Sequence, residues 1–194
     1  MRRSLNTKHG FSLIELITAI GISGIVLAAV TATFISQSRS YNAQEQINGM
    51  QQAARAAMDI ITREVRMAGY NTNATLTFDG ITYDTTQIRV QANLTGDTDT
   101  GDPNEDIIYA FDSVDDVITR ETGGSTETLV ENIDVFTFQY LDESGTATTT
   151  SANIRQIQIT ITSRTAKSDP NYPSNGGYRT FTLTSLITPR NLAY

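Results

Sequence analysis

The chain has 194 residues, 39% hydrophobic and 18% charged, enough for one ordinary domain plus an appendage and unlike a disordered or multi-pass membrane chain. Of its 14 basic residues three (Arg2, Arg3 and Lys8) lie in residues 1–10, leaving 11 against 21 acidic, a net −10 that repels nucleic acid and anionic headgroups. There is no cysteine, and the single histidine is His9, so the rest of the chain lacks the side chains most used for nucleophilic and general-base catalysis and for binding zinc, iron or copper. We therefore expect no enzymatic activity, no nucleic-acid partner and no such metal cofactor.

The basic segment MRRSLNTKHG precedes FSLIELITAIGISGIVLAAVTATFI, which is uncharged from Leu16 to Ile35. About 20 such residues as a helix cross a bilayer core of roughly 30 Å. No Lys or Arg comes after the span until Arg39, so the positive-inside bias keeps residues 1–10 cytoplasmic and exports the remainder of the chain. Three readings fit a basic flank and an apolar run. A secretory signal needs small residues after its core, and Leu27–Ala32 offers some. A plain single-pass anchor explains the span but leaves Glu15 unexplained, because a carboxylate in lipid costs a few kcal/mol. The third reading rests on Gly10-Phe11-Ser12-Leu13-Ile14-Glu15-Leu16, which resembles the processing motif of type IV prepilins and type II secretion pseudopilins.

That resemblance implies removal of a leader, residues 1–10, by a prepilin peptidase that cuts between Gly10 and Phe11 and N-methylates Phe11. It implies that residues 11–36 stay as a transmembrane or filament-core helix. It also implies that Glu15 pairs with the terminal amine of a neighbouring subunit, neutralising two charges that lipid penalises. Gly10 suits a cut site because a residue without a side chain lets a protease approach the backbone closely.

Helical periodicity continues beyond the span. Ile47, Met50, Ala54, Ala57, Ile61 and Val65 form one apolar stripe, with Gln44, Glu45, Gln51, Arg55, Asp59 and Arg63 on other faces. Gly69, after Arg63, Arg66 and Met67, reads as the stop. A helix from Phe11 to Ala68 would be about 87 Å long at about 1.5 Å per residue, wider than any small domain, so half of it is expected to protrude. Gly21, Gly24 and Ala28 place small residues on the protruding half, where neighbouring helices approach closely or where they are ordinary membrane-helix residues.

After residue 70 the period turns towards two. Leu76–Phe78 and Ile81–Tyr83 flank Asp79-Gly80, a type I′ hairpin signal. Ile88 to Leu94, Ile107–Phe111, Val117–Arg120, Thr126–Val130, Ile133–Leu141, Ile157 to Ile161 and Phe181 to Ile187 read as strands, with turns at Gly123-Gly124 and Gly145. The expected fold is α+β and pilin-like. A long N-terminal helix, with a hydrophobic transmembrane half and an amphipathic second half (residues 37–70), packs on an antiparallel β-sheet head (residues 71–194).

The segment Glu64-Val65-Arg66-Met67-Ala68-Gly69-Tyr70 resembles the helix end of PilW-type minor pilins. Leu129–Ile133, Phe138–Tyr140, Ile154–Ile157 and the closing Pro189-Arg190-Asn191-Leu192 resemble both that group and the J-type minor pseudopilins. The resemblance implies a minor pilin of a type IV pilus, acting in assembly, initiation or a tip complex. Its partners would be prepilin peptidase, other minor and major pilins and the bacterial inner membrane. It would sit there as a single pass with the head outside the cytoplasm, then in a pilus at the cell surface. A minor pseudopilin of a type II secretion system, and a membrane-anchored adhesin or Ca²⁺-binding module, remain as alternatives.

One loop carries metal-ligand chemistry. Asp97-Thr98-Asp99-Thr100-Gly101-Asp102-Pro103-Asn104-Glu105-Asp106 alternates carboxylates around a glycine, as a hard oxygen-seeking cation requires. It is not an EF-hand, since the glycine comes one place early and Ile108 holds the twelfth position. A solvated turn is the expectation, with Asp97, Asp99 and Asp102 the candidate Ca²⁺ ligands. Asp115-Asp116 is expected to be a turn, and Tyr172, Tyr178 and Tyr194 belong to a C-terminal stretch that is either a contact surface or a surface loop.

Overall fold

The structure, a computed structural model, describes residues 10–192. Residues 1–9, which include His9 and most of the expected leader, and residues 193–194, which include Tyr194, lie outside the described residues. The described part contains helix α1 (Leu13–Met67) and eight strands: β1 (Ile81–Thr82), β2 (Gln87–Gln91), β3 (Asp106–Asp112), β4 (Val117–Thr122), β5 (Ser125–Val130), β6 (Ile133–Leu141), β7 (Gln156–Arg164) and β8 (Thr180–Ile187). The chain divides into two compact units, 1–45 and 46–194.

In the first unit, the described helical residues are exposed almost throughout. Large apolar side chains from Phe11 to Ile35 are between 46% and 92% exposed. Hydroxyls in the apolar run are satisfied by their own helix: Thr18 donates to the Ile14 carbonyl (2.9 Å), Thr31 to Leu27 (2.8 Å) and Thr33 to Ala29 (2.9 Å). A segment built this way presents hydrocarbon outward with few unmet polar groups, as lipid demands.

The second unit is organised around the stripe. Met50, Ala54, Ala57, Ile61 and Val65 are buried, Ile47 is half-buried, and Met58 and Ala68 join them. They meet an antiparallel five-stranded sheet ordered β1-β2-β3-β4-β5 and an antiparallel three-stranded sheet ordered β6-β7-β8. Alternation supplies the inward faces: Ile88 and Val90 from β2, Ile107 and Tyr109 from β3, and Ile157, Ile159 and Ile161 from the central strand β7. These residues form one core with the helix. On the outer face of β7, threonines pair across to β8, Thr160 with Thr184 (3.0 Å) and Thr162 with Thr182 (2.9 Å).

Two expectations need correction. The head holds two sheets where one is expected, because Asn132 takes a positive φ (59°) after β5 and turns the chain into a separate ladder with β7. The Asp79-Gly80 hairpin does not form: residues 76–78 are not a strand, and β1 pairs with β2. Gly80 serves the helix end instead. A Cβ there would lie 2.3 Å from Gly69 N and 2.6 Å from its Cα, so the glycine lets two backbones touch.

Several segments converge on the carboxyl end of α1. Gly69 takes φ +75°, the left-handed stop, and its N–H donates to the Gln91 carbonyl (2.9 Å). Asn191 Nδ2 donates to the Met67 and Ala68 carbonyls (3.4 and 3.3 Å), and the Arg190 N–H donates to Arg66 O (3.2 Å). Leu192 packs over Gly69 where a side chain would stand. The closing Pro189–Leu192 segment is thus a cap for the helix, supplying donors to the carbonyls of its last turn.

Candidate functional site: the helix start and the acidic loop

Two places combine charge with an unusual setting. The first is the start of α1. Gly10 and Phe11 are exposed and precede the helix, Phe11 being 92% exposed. Ser12 caps the first turn together with Glu15. The Ser12 N–H donates to Glu15 Oε2 (2.9 Å), and the Glu15 N–H donates to Ser12 Oγ (3.3 Å). This reciprocal pair is a capping box, and it meets two of the donors a helix start leaves open. Its signature, Ser-x-x-Glu, is present in the sequence at Ser12–Glu15, although the apolar surroundings of Glu15 point first to assembly and only then to a local partner. The box holds a carboxylate at the positive end of the helix dipole, one turn from the Gly10–Phe11 bond.

The prokaryotic N-terminal methylation motif matches residues 5–31, which contain this helix start. The start of the chain therefore carries this motif. The described chain combines one long amino-terminal helix with two antiparallel sheets. Among solved structures, the chain is similar to a type IV-like pilin from Thermus thermophilus. The two are 12% identical, the match covers 74% of this chain and 98% of that one, and the TM-score is 0.47. No curated protein matches the chain.

The second place is the loop between β2 and β3. Its frame is a set of side-chain clasps. Buried Asn93 donates to Asp97 O (3.0 Å) and accepts from the Gly96 N–H (2.6 Å), while Asn73 Nδ2 also donates to Asp97 O (2.6 Å). Asp97 Oδ1 accepts the Asp99 N–H (3.1 Å), and Asp99 Oδ1 accepts the Gly101 N–H (2.7 Å). Glu105 is only 1% exposed, and its Oε1 accepts the Leu94 and Thr95 N–H groups at 2.6 and 2.7 Å. Carboxyl oxygens of Asp97, Asp99 and Glu105 all lie within 4.8 Å of one another. Of the three residues expected from sequence, the fold brings Asp97 and Asp99 together and puts Glu105 beside them in place of Asp102. The Asp102 carbonyl is occupied by the Glu105 N–H (3.0 Å).

Other charged groups serve structure. Glu64 on α1 receives Arg120 Nη2 (3.0 Å) and the Tyr109 hydroxyl. Burial, then the Glu64 hydrogen bond, pushes the Tyr109 phenol well above its ordinary pKa, and the same carboxylate raises that of the Arg120 guanidinium. Asp116, in the turn between β3 and β4, pairs with Arg164 of β7. Arg164 lies over the Tyr178 ring (4.8 Å) and Arg179 over Tyr172 (4.7 Å), so both tyrosines are tied to the head by cation–π contacts.

Proposed function

We propose that this pilin-like chain is a non-enzymatic minor pilin of a type IV pilus, PilW-type, acting in assembly, initiation or a tip complex. Prepilin peptidase cuts Gly10–Phe11 and methylates Phe11. The helix is stored in the inner membrane with the head outside the cytoplasm, then extracted into a filament at the cell surface. What carries the reading is the exposed apolar helix of residues 13–35 that begins on a capped carboxylate. Hydrocarbon exposed on every side is costly in water, and packing it against lipid or other pilin helices removes that cost.

Glu15 has a second acceptor capacity beyond the Ser12 N–H, because an ionised carboxylate offers about four lone-pair sites. That capacity takes the amine of a neighbouring Phe11 and sets the axial register of the bundle. A minor pseudopilin of a type II secretion system would use the same residues, and the closing Pro189–Leu192 segment resembles that group equally. Mass spectrometry of the membrane-extracted protein tests the processing step. The expected amino terminus is N-methylated Phe11; retention of Met1, or a start near Thr31, overturns it.

A further inference from the structure

We propose that the loop between β2 and β3 binds one Ca²⁺ ion, with Asp97, Asp99 and Glu105 as its carboxylate ligands. This site is independent of any role in a filament. A row of exposed aspartates alone would be a solvated turn; Glu105 makes the difference. Its side chain is buried, and Oε1 is held by two backbone N–H groups, yet Oε2 is enclosed without any hydrogen-bond partner among the described residues. A native fold rarely leaves a buried carboxyl oxygen unmet. One carboxyl oxygen each from Asp97, Asp99 and Glu105 lies within 4.8 Å of the other two. Among the described residues, no Lys or Arg forms an ion pair with any of the three. Three like charges gathered so closely, one of them buried, call for a cation between them.

The donor set selects the ion. All three ligands are oxygen, which suits a hard cation and not zinc or copper. Oxygens that share one Ca²⁺ sit about 2.3–2.6 Å from it, so two of them are at most about 5 Å apart, in keeping with the observed spacing. Ca²⁺ accepts irregular ligand shells completed by water, whereas Mg²⁺ demands a near-ideal octahedron at about 2.0–2.1 Å. The consequence is mechanical. The loop is already clasped to the chain just after α1, through Asn73 on Asp97 and the Asn93 N–H on Tyr70 O (2.8 Å). A cation joining Asp97 and Asp99 to Glu105 locks that junction.

The test uses the full-length chain in detergent, stripped with EDTA, with unfolding of the head followed by tyrosine fluorescence. With Ca²⁺ about 100-fold above its dissociation constant, the melting temperature should rise by about 5 °C or more. Glu105→Gln keeps an oxygen for the Leu94 and Thr95 N–H groups, and Asp99→Asn keeps one for Gly101. Both should fold and lose at least tenfold in Ca²⁺ affinity by calorimetric titration, while Asp102→Asn retains it. No response of the wild type at millimolar Ca²⁺ overturns the proposal. So does an equal response to Mg²⁺, or undiminished affinity in both variants. A Glu105→Gln chain that melts higher than an unresponsive wild type would mean that a proton, not a cation, satisfies Glu105.

Discussion

Gly80 and Gly69 meet backbone to backbone at the end of α1, closer than any side chain permits. Gly80 does not take a positive φ, so its requirement is for space alone. Gly80→Ala should therefore destabilise the head by about 1–3 kcal/mol through overpacking, measured by urea unfolding of the full chain. A loss under about 0.5 kcal/mol would mean that the strand β1 shifts freely. From sequence, the same Asp-Gly pair reads as a hairpin, since local turn chemistry is all that two residues reveal. Glu15 teaches the complementary lesson. Its presence in an apolar run is legible as an anomaly, and its capping partner Ser12 is legible too, three residues back.

At the scale of elements, α1 is the most legible part of the chain. An apolar run followed by a stripe at steps of three and four needs no tertiary information, because helical hydrogen bonds are local. The buried stripe residues match those expected from spacing, and Ile61 lies fully buried in the common core. Ile61→Ala should cost about 2–5 kcal/mol, read from the denaturant midpoint of the head, while the same change at exposed Ile25 should leave that midpoint unmoved. The strands are legible as periods of two, from β2 to β8. Their division into two sheets is not, since pairing depends on partners as distant as Ile133 and Ser163. The acidic loop falls between. Asp97 and Asp99 are two residues apart and recognisable together, but Glu105 joins them only because the backbone N–H groups of 94–95 fold back onto it, while Asn93 holds the Asp97 carbonyl.

At the scale of the molecule, acid and alkali should act on the second unit through different groups. Hydrogen bonds from Thr86 hold Asp84 below the ordinary carboxylate pKa. Those from Ser144 and Thr146 do so for Asp142, and those from Asn171 and Arg179 for Asp169. Their contribution is present above the unfolded value of about 3.9 and is lost as pH falls through the lower folded values. Tyr109 and Tyr140 behave oppositely. Burial raises both phenols well above the unfolded value of about 10, so the unfolded chain releases those protons first. Stability should be level through neutrality and then fall above about pH 10. The fall approaches 1.4 kcal/mol per pH unit for each tyrosine, measured by urea unfolding at stepped pH. Unchanged stability to about pH 12 would show that these hydroxyls are not shielded.

The sequence by itself determined the amino-terminal third of this protein. The basic flank, the Gly10–Phe11 junction, the carboxylate at Glu15, the apolar span and the amphipathic stripe are all encoded within a few residues of where they act, so spacing alone reveals them. Only the tertiary structure decided how the head closes. The closing Pro189–Leu192 segment caps a helix more than a hundred positions earlier, Arg120 crosses to Glu64, and a buried Glu105 completes a carboxylate cluster begun at Asp97. Such contacts depend on which distant segments the burial of apolar faces brings together, and no local periodicity carries that information.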